Sequence, residues 1–329
     1  MRAGRHVVDL SARACVAAAI SVAATLASAQ QTYPARAIRL VVPSAPGGGT
    51  DITARIMAPK LSEYLGQQVV VENRAGAASM IGGEVVARSA PDGYTLLMGI
   101  STLAINAATY RKVPYDAQKD FAPISQVVAL SNVLVTHPSL PARSVKELIA
   151  FARVRPNQIN FASAGVGTNP HLTMELFLTM TGLKMNHVPY KGSGQGIVDV
   201  LAGQVPVMTP AVPTALPYIR NARLRGLAVS GAQRSNAAPD IPTLAEAGVP
   251  GYEATQWFGL LAPAGTPRAI VDRLQRETAR ALKDPAVRDR LVADGADPVG
   301  STPDEFAAYI RSEMTKWAKV VKAVGLKPE

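Results

Sequence analysis

Three consecutive glycines sit inside Pro43-Ser44-Ala45-Pro46-Gly47-Gly48-Gly49-Thr50-Asp51, a run whose chemistry is carried by backbone amides rather than by side chains. Glycine lets N–H groups approach a ligand closely, and the start of a helix adds unpaired donors and partial positive charge. Ser44, Ala45, Pro46, Gly47, Gly48, Thr50 and Asp51 are therefore candidate contacts for a carboxylate. The same residues also suit a plain strand-to-helix turn with Thr50 or Asp51 as the N-cap. In either reading Asp51 serves as a cap or a loop-ordering acceptor in preference to a general base.

A second loop repeats the pattern. Ser163-Ala164-Gly165-Val166-Gly167-Thr168-Asn169-Pro170 precedes His171, which makes Ser163, Gly165, Gly167, Thr168 and His171 candidates. Further polar groups stand where strands should stop: Ser101 and Thr102 after Gly99, Tyr190 and Lys191 after Pro189, and Thr209 after Met208. Lys191 offers a positive charge to a ligand acid group, or is a solvated surface lysine.

Catalytic readings are thin. The second loop begins like a dinucleotide fingerprint but has Pro170 where a third small residue is needed, and no acidic ribose partner follows. The first loop lacks the lysine of a nucleotide-triphosphate loop, and neither H-E-x-x-H nor G-x-S-x-G occurs. Ser163 and His171 can be drawn as nucleophile and base, yet Ser163 is as easily a ligand donor and His171 a residue near a helix start. His137, His171 and His187 share no ligand spacing, so neither a metal nor a cofactor is expected.

Strand-like and helix-like segments alternate around these loops, which predicts an α/β fold of parallel-type sheets covered by helices. The first loop joins strand Ile38 to Val42 to a helix from about Thr50 to Leu65, with Ile52, Ile56, Met57 and Leu61 on one face. The second joins strand Ile159 to Ala162 to a helix from His171 to about Thr181. Two similar domains with a hinge follow: residues 30–131 plus 256–329 form a discontinuous first domain, and 132–255 form the second. Val127 to Val135 and Thr255 to Ala262 are the expected crossings, with Trp257 to Leu261 a short strand. Loops at the carboxyl ends of strands would then face one cleft.

Composition narrows the setting. With 329 residues and 48% hydrophobic content, the chain can bury two cores. Arg2, Arg5 and Arg13, an apolar stretch from Ala14 to Leu26 and Ala27-Ser28-Ala29 read as a signal peptide over residues 1–29, which predicts export to the periplasm. The one cysteine, Cys15, lies in that leader, so disulfides and cysteine-held metals are not expected in the mature chain. Losing three arginines and Asp9 lowers the formal net charge from +10 to +8. The basic residues are scattered and not interleaved with aromatics, so nucleic acid is not an expected partner; small anions are.

With these residues in hand, the chain resembles the Bug family of solute-binding proteins, the TctC-like receptors of tripartite tricarboxylate transporters. Matching stretches include Tyr33-Pro34, Pro46-Gly47-Gly48-Gly49-Thr50-Asp51, Val71-Glu72-Asn73-Arg74 with Gly76, and Pro91-Asp92-Gly93-Tyr94. Others are Gly165-Val166-Gly167-Thr168 with His171-Leu172, Val188-Pro189-Tyr190-Lys191-Gly192, Pro239 to Thr243 with Glu246-Ala247-Gly248, and Ala262 to Pro267. The resemblance covers the mature chain and implies a two-domain periplasmic-binding-protein architecture, Venus flytrap and type II-like, holding a small organic carboxylate on its two glycine loops. It implies delivery to membrane subunits of a tripartite tricarboxylate transporter, no enzyme activity and a monomer. Alternatives of other classes are a secreted α/β enzyme acting on an acidic substrate and a receptor that feeds a signalling partner.

One stretch departs from the family. Where many members carry V-D-V or V-D-L before an F-D- or F-S-like pair, this chain has Val205-Pro206-Val207-Met208-Thr209-Pro210. Because Pro206 has no N–H and Pro210 stands where a polar group could line the pocket, a less polar distal ligand end is expected.

Overall fold

The computed structural model describes residues 33–326, so the expected signal peptide lies outside the described residues. The chain opens with β1 (Ile38–Val42), whose β-branched and leucine side chains are buried on both faces, as a central strand requires. Helix α1 (Gly49–Leu65) buries Ala54, Met57, Leu61 and Leu65 against it, while Ile52 and Ile56 sit half-buried at the edge of that face. Next come β2 (Val69–Asn73), α2 (Met80–Ala87), β3 (Thr95–Ile100), α3 (Thr102–Thr109) and β4 (Phe121–Ser131).

The chain then enters a second sheet through β5 (Val133–Thr136), α4 (Val145–Arg153), β6 (Asn160–Ser163), α5 (Asn169–Thr181), β7 (Asn186–Pro189), α6 (Ser193–Leu201), β8 (Val207–Met208), α7 (Val212–Arg220) and β9 (Arg225–Val229). It returns along β10 (Thr255–Pro263) and finishes with α8 (Arg268–Lys283), α9 (Pro285–Ala293), β11 (Ala296–Pro298) and α10 (Pro303–Ala323).

The first sheet has six strands in the order β11-β4-β10-β3-β1-β2, and the second has five in the order β7-β6-β8-β5-β9. Both sheets are mixed rather than wholly parallel. β1 is parallel to β2 and β3, and β6 to β7 and β8, as helical crossovers demand. The strands that carry the chain between sheets break the pattern: β10 runs antiparallel to β3 and β4, and β5 antiparallel to β8 and β9. β10 is also longer than the short strand expected from sequence.

Each sheet is packed on both faces. Leu40 and Val41, adjacent in β1, join different cores, one with Met57 and Leu274 and the other with Leu97 and Phe306. Helix α10 spans the two lobes: Phe306 and Ile310 lie in a first-sheet core, Trp317 and Val321 in a second-sheet core with Phe177. No described helix is long and apolar enough to cross a membrane.

Candidate functional site

The first glycine loop is ordered from below by a carboxylate. Gly48, with extended backbone, is the N-cap of α1, so Thr50 and Asp51 lie inside the helix instead of capping it. Gly47 has φ +79°, a left-handed turn that glycine adopts without strain. It directs its N–H at Asp51 Oδ2, 3.0 Å away. Asp51 also accepts from Arg55 Nε and from Asn73 Nδ2, each at 3.0 Å, and Asn73 Nδ2 donates to the Ser44 carbonyl. Burial alone would raise the Asp51 pKa; the hydrogen bonds from Arg55, Gly47 and Asn73 outweigh it and hold the group below the ordinary carboxylate value.

The second loop has its own support. Thr168 is the N-cap of α5 and turns its hydroxyl back to the Gly165 carbonyl at 2.7 Å. His171 Nδ1 accepts from the Gly167 N–H at 3.1 Å, and its ring stacks on His187 with centroids 3.9 Å apart. Ser163 Oγ pairs with His187 Nε2 at 2.6 Å. Burial, then the neighbouring His171, pushes the His187 pKa down to about 3, so this ring is neutral at physiological pH. The imagined Ser163–His171 pair is therefore not formed: Ser163 is fully buried and its ring partner is His187, while the lone pair of His171 is taken by a backbone N–H.

Between the two loops lies a cavity of about 430 Å³. Of the residues singled out in the sequence, Ser44, Ala45, Gly48, Thr50, Thr102, Gly165, Thr168, Tyr190 and Lys191 line it. Pro46, Gly47, Asp51, Ser101, Ser163, Gly167, His171 and Thr209 do not; they stand behind the lining or at the rim. Thr209 donates to the Pro170 carbonyl at 2.7 Å, and the Pro206 and Pro210 carbonyls accept from His137 and Val133. None of these three lines the cavity, so the expected apolar distal end does not arise from them. Lining residues that the sequence did not single out include Ala75, Ala77 to Ser79, Tyr110, Thr214 and Gln256.

The lobes meet at the cavity rim. A Cβ on Gly192 would stand 3.8 Å from Ala45 Cβ, and one on Gly194 would stand 3.8 Å from the Pro46 carbonyl. On the other side, Tyr110 Oη donates to the Val166 carbonyl. Asn169 ties the lining to both crossings: its Oδ1 accepts from Asn132 Nδ2 at 2.6 Å, and its Nδ2 donates to the Thr255 carbonyl at 3.1 Å.

Electrostatically the cavity suits an anion. The first turns or N-caps of α1, α2, α3, α5, α6 and α7 all contribute to its wall, each with amides that lack helical acceptors. Among the described lining residues Lys191 carries the one formal charge, and no acidic side chain is present. Ser44 Oγ, Thr102 Oγ1, Thr214 Oγ1 and Gln256 Oε1, all on lining residues, are buried with no protein partner. Among the described residues no group of three metal-ligating side chains assembles.

Comparison with known proteins agrees with this geometry. Residues 53–326 match the family model for the tripartite tricarboxylate transporter family receptor, TctC. Protein BugT of Bordetella pertussis is 43% identical over 298 residues, which is 90% of this chain and 91% of BugT. The structure of R. palustris Rpa4515 with adipate superposes with a TM-score of 0.88 at 38% identity, covering 90% of this chain and all of that one. MatC from Rhodopseudomonas palustris with bound malate gives 0.83 at 32% identity, covering 88% of this chain and all of MatC. The chain belongs to the TctC family of tripartite tricarboxylate transporter receptors.

Proposed function

We propose that the protein is a periplasmic receptor that captures one small organic carboxylate between its two lobes and delivers it to the membrane subunits of a tripartite tricarboxylate transporter. The observation that carries this reading is a cavity walled by helix N-termini and Lys191 with no acidic side chain. Such a wall stabilises an anion through amides and dipoles. Adipate and malate in the two related structures support an acid ligand.

In this reading residues 1–29 are a signal peptide, 30–131 with 256–329 form one lobe, and 132–255 form the other. The chain acts as a monomer. The crossings at Asn132 and Thr255 are the hinge, and closure buries the ligand's acid group between the loops around Gly48 and Thr168. Lys191 adds a charge-assisted contact from the rim.

A thermal-shift screen of mono-, di- and tricarboxylates, followed by calorimetry and recovery of the ligand, tests the proposal. The expected result is stabilisation by a small set of acids, each recovered chemically unchanged. Turnover of the stabilising acid, or stabilisation by no acid, would overturn it.

A further inference from the structure

The wall segment between β2 and α2 carries an uncommon backbone. Gly76, Ala77, Ala78 and Ser79 have φ of +126°, +46°, +48° and +71°, and of these four only the first is glycine. Elsewhere among the described residues, a non-glycine residue in this region occurs singly, at Asn157 and at Ala222. A Cβ disfavours the left-handed region about five- to thirtyfold for each residue, so three in series are disfavoured multiplicatively. Ser79 stands at the N-cap of α2 in that conformation and makes no side-chain cap bond, so capping does not offset the strain. Yet Ala77, Ala78 and Ser79 all line the cavity.

The surrounding protein holds this turn lightly. Asn106 of α3, fully buried, donates from Nδ2 to the Ala78 carbonyl at 3.2 Å and from the same nitrogen to Tyr115 Oη at 3.0 Å. The Met80 N–H closes the turn on the Ala77 carbonyl at 2.9 Å. One such bond favours a geometry about two- to tenfold, so two of them fall short of three strained residues. Ala77 is exposed, Ala78 and Ser79 are half-buried, and none of the three joins a hydrophobic core. A guest that fills the cavity packs against the turn and adds the contacts that the protein lacks there. We infer that Ala77, Ala78 and Ser79 are positioning residues: the bound ligand completes their left-handed turn, and the strain of forming it lowers the receptor's affinity. This rests on the carboxylate-receptor reading above.

Calorimetry and stopped-flow binding test it in wild type, Ala77→Gly, Ala78→Gly and Ala222→Gly, using the tightest binder among adipate, malate, citrate, benzoate and the acids of the screen above. Glycine adopts positive φ freely. Ala77→Gly and Ala78→Gly should each tighten binding about three- to tenfold, with the gain in the association rate, because more of the ligand-free protein already has the turn formed. The ligand should also raise the melting temperature of each by more than it raises that of wild type. Ala222→Gly, at φ +55° and outside the cavity, should leave affinity within about twofold of wild type. Unchanged or weaker binding in either turn variant, or an equal gain in Ala222→Gly, would overturn the inference while leaving the receptor intact. Binding of no acid by wild type would remove the receptor reading and the inference with it.

Discussion

Tyr110 Oη donates a 2.9 Å hydrogen bond to the Val166 carbonyl, joining the end of α3 in the first lobe to the second glycine loop in the other. Both Tyr110 and Val166 line the cavity, so the bond joins two of its walls. Tyr110→Phe removes the hydroxyl and keeps the ring. Ligand dissociation should quicken about three- to tenfold with little change in association, as expected for one cross-cleft bond. Stopped-flow displacement measures this, and an unchanged dissociation rate would rule out the latch.

Gly167 and Gly48 should respond differently to the same added methyl. Gly167 has φ +70°, and its Cβ would meet Thr109 Oγ1 at 2.8 Å across the cleft. Gly48 has φ −78°, and its Cβ would meet the Ala45 carbonyl at an ordinary 3.5 Å. Gly167→Ala should therefore weaken binding about tenfold or more by hindering closure, whereas Gly48→Ala should stay within about threefold of wild type. Titration calorimetry decides it; equal losses in the two variants would contradict the assignment of Gly167 to the interlobe contact.

Asp51 is the organiser of the first loop. Asp51→Ala frees the Gly47 N–H, Arg55 and Asn73 together, and should cost about 1–3 kcal/mol in stability as well as weakening ligand binding. Denaturant unfolding with and without ligand reads both. A variant that keeps full stability and affinity would show that the loop holds its shape without the carboxylate.

His187 gives a pH dependence of definite sign. Its pKa is about 3 in the folded protein against an ordinary value of 6.5, so the unfolded chain binds a proton that the native state refuses. Stability from this group is fully present above pH 6.5 and is lost as pH falls from 6.5 toward 3. Between pH 6.5 and 4.5 carboxylates contribute little, because their lowered values, such as that of Glu72 at about 2, act below their unfolded range. Thermal melts over that window should show a shallower slope in His187→Gln than in wild type; parallel slopes would refute the burial of a neutral ring.

Much of this was legible in the chain itself, for identifiable reasons. β1, α1, β6 and α5 carry either a β-branched run or helical spacing of apolar residues, and the glycines between them mark the loops. Helices α6 and α7 escaped because Gly194, Gly196, Pro213 and Pro217 are poor helix formers held by packing of Ile197, Val200, Ala215 and Leu216. α3 escaped because it is buried nearly all round and shows no polar face. Gln256 carried no signal at all: a lone glutamine in a strand becomes a site residue only through the antiparallel pairing of β10 with β3 and β4, which no local pattern encodes. The glycine motifs were visible, but which glycine lines the cavity and which packs on the other lobe is set by how the lobes meet, as Gly48 and Gly167 show.

The central claim is that backbone amides of both glycine loops hold an acid group between the lobes. A crystal structure of the protein with the acid that most raises its melting temperature tests this directly. The account predicts carboxylate oxygens in the cavity between Gly48 and Thr168, within hydrogen-bond distance of amides from both loops. An acid seated elsewhere, or held by one lobe alone, would contradict it.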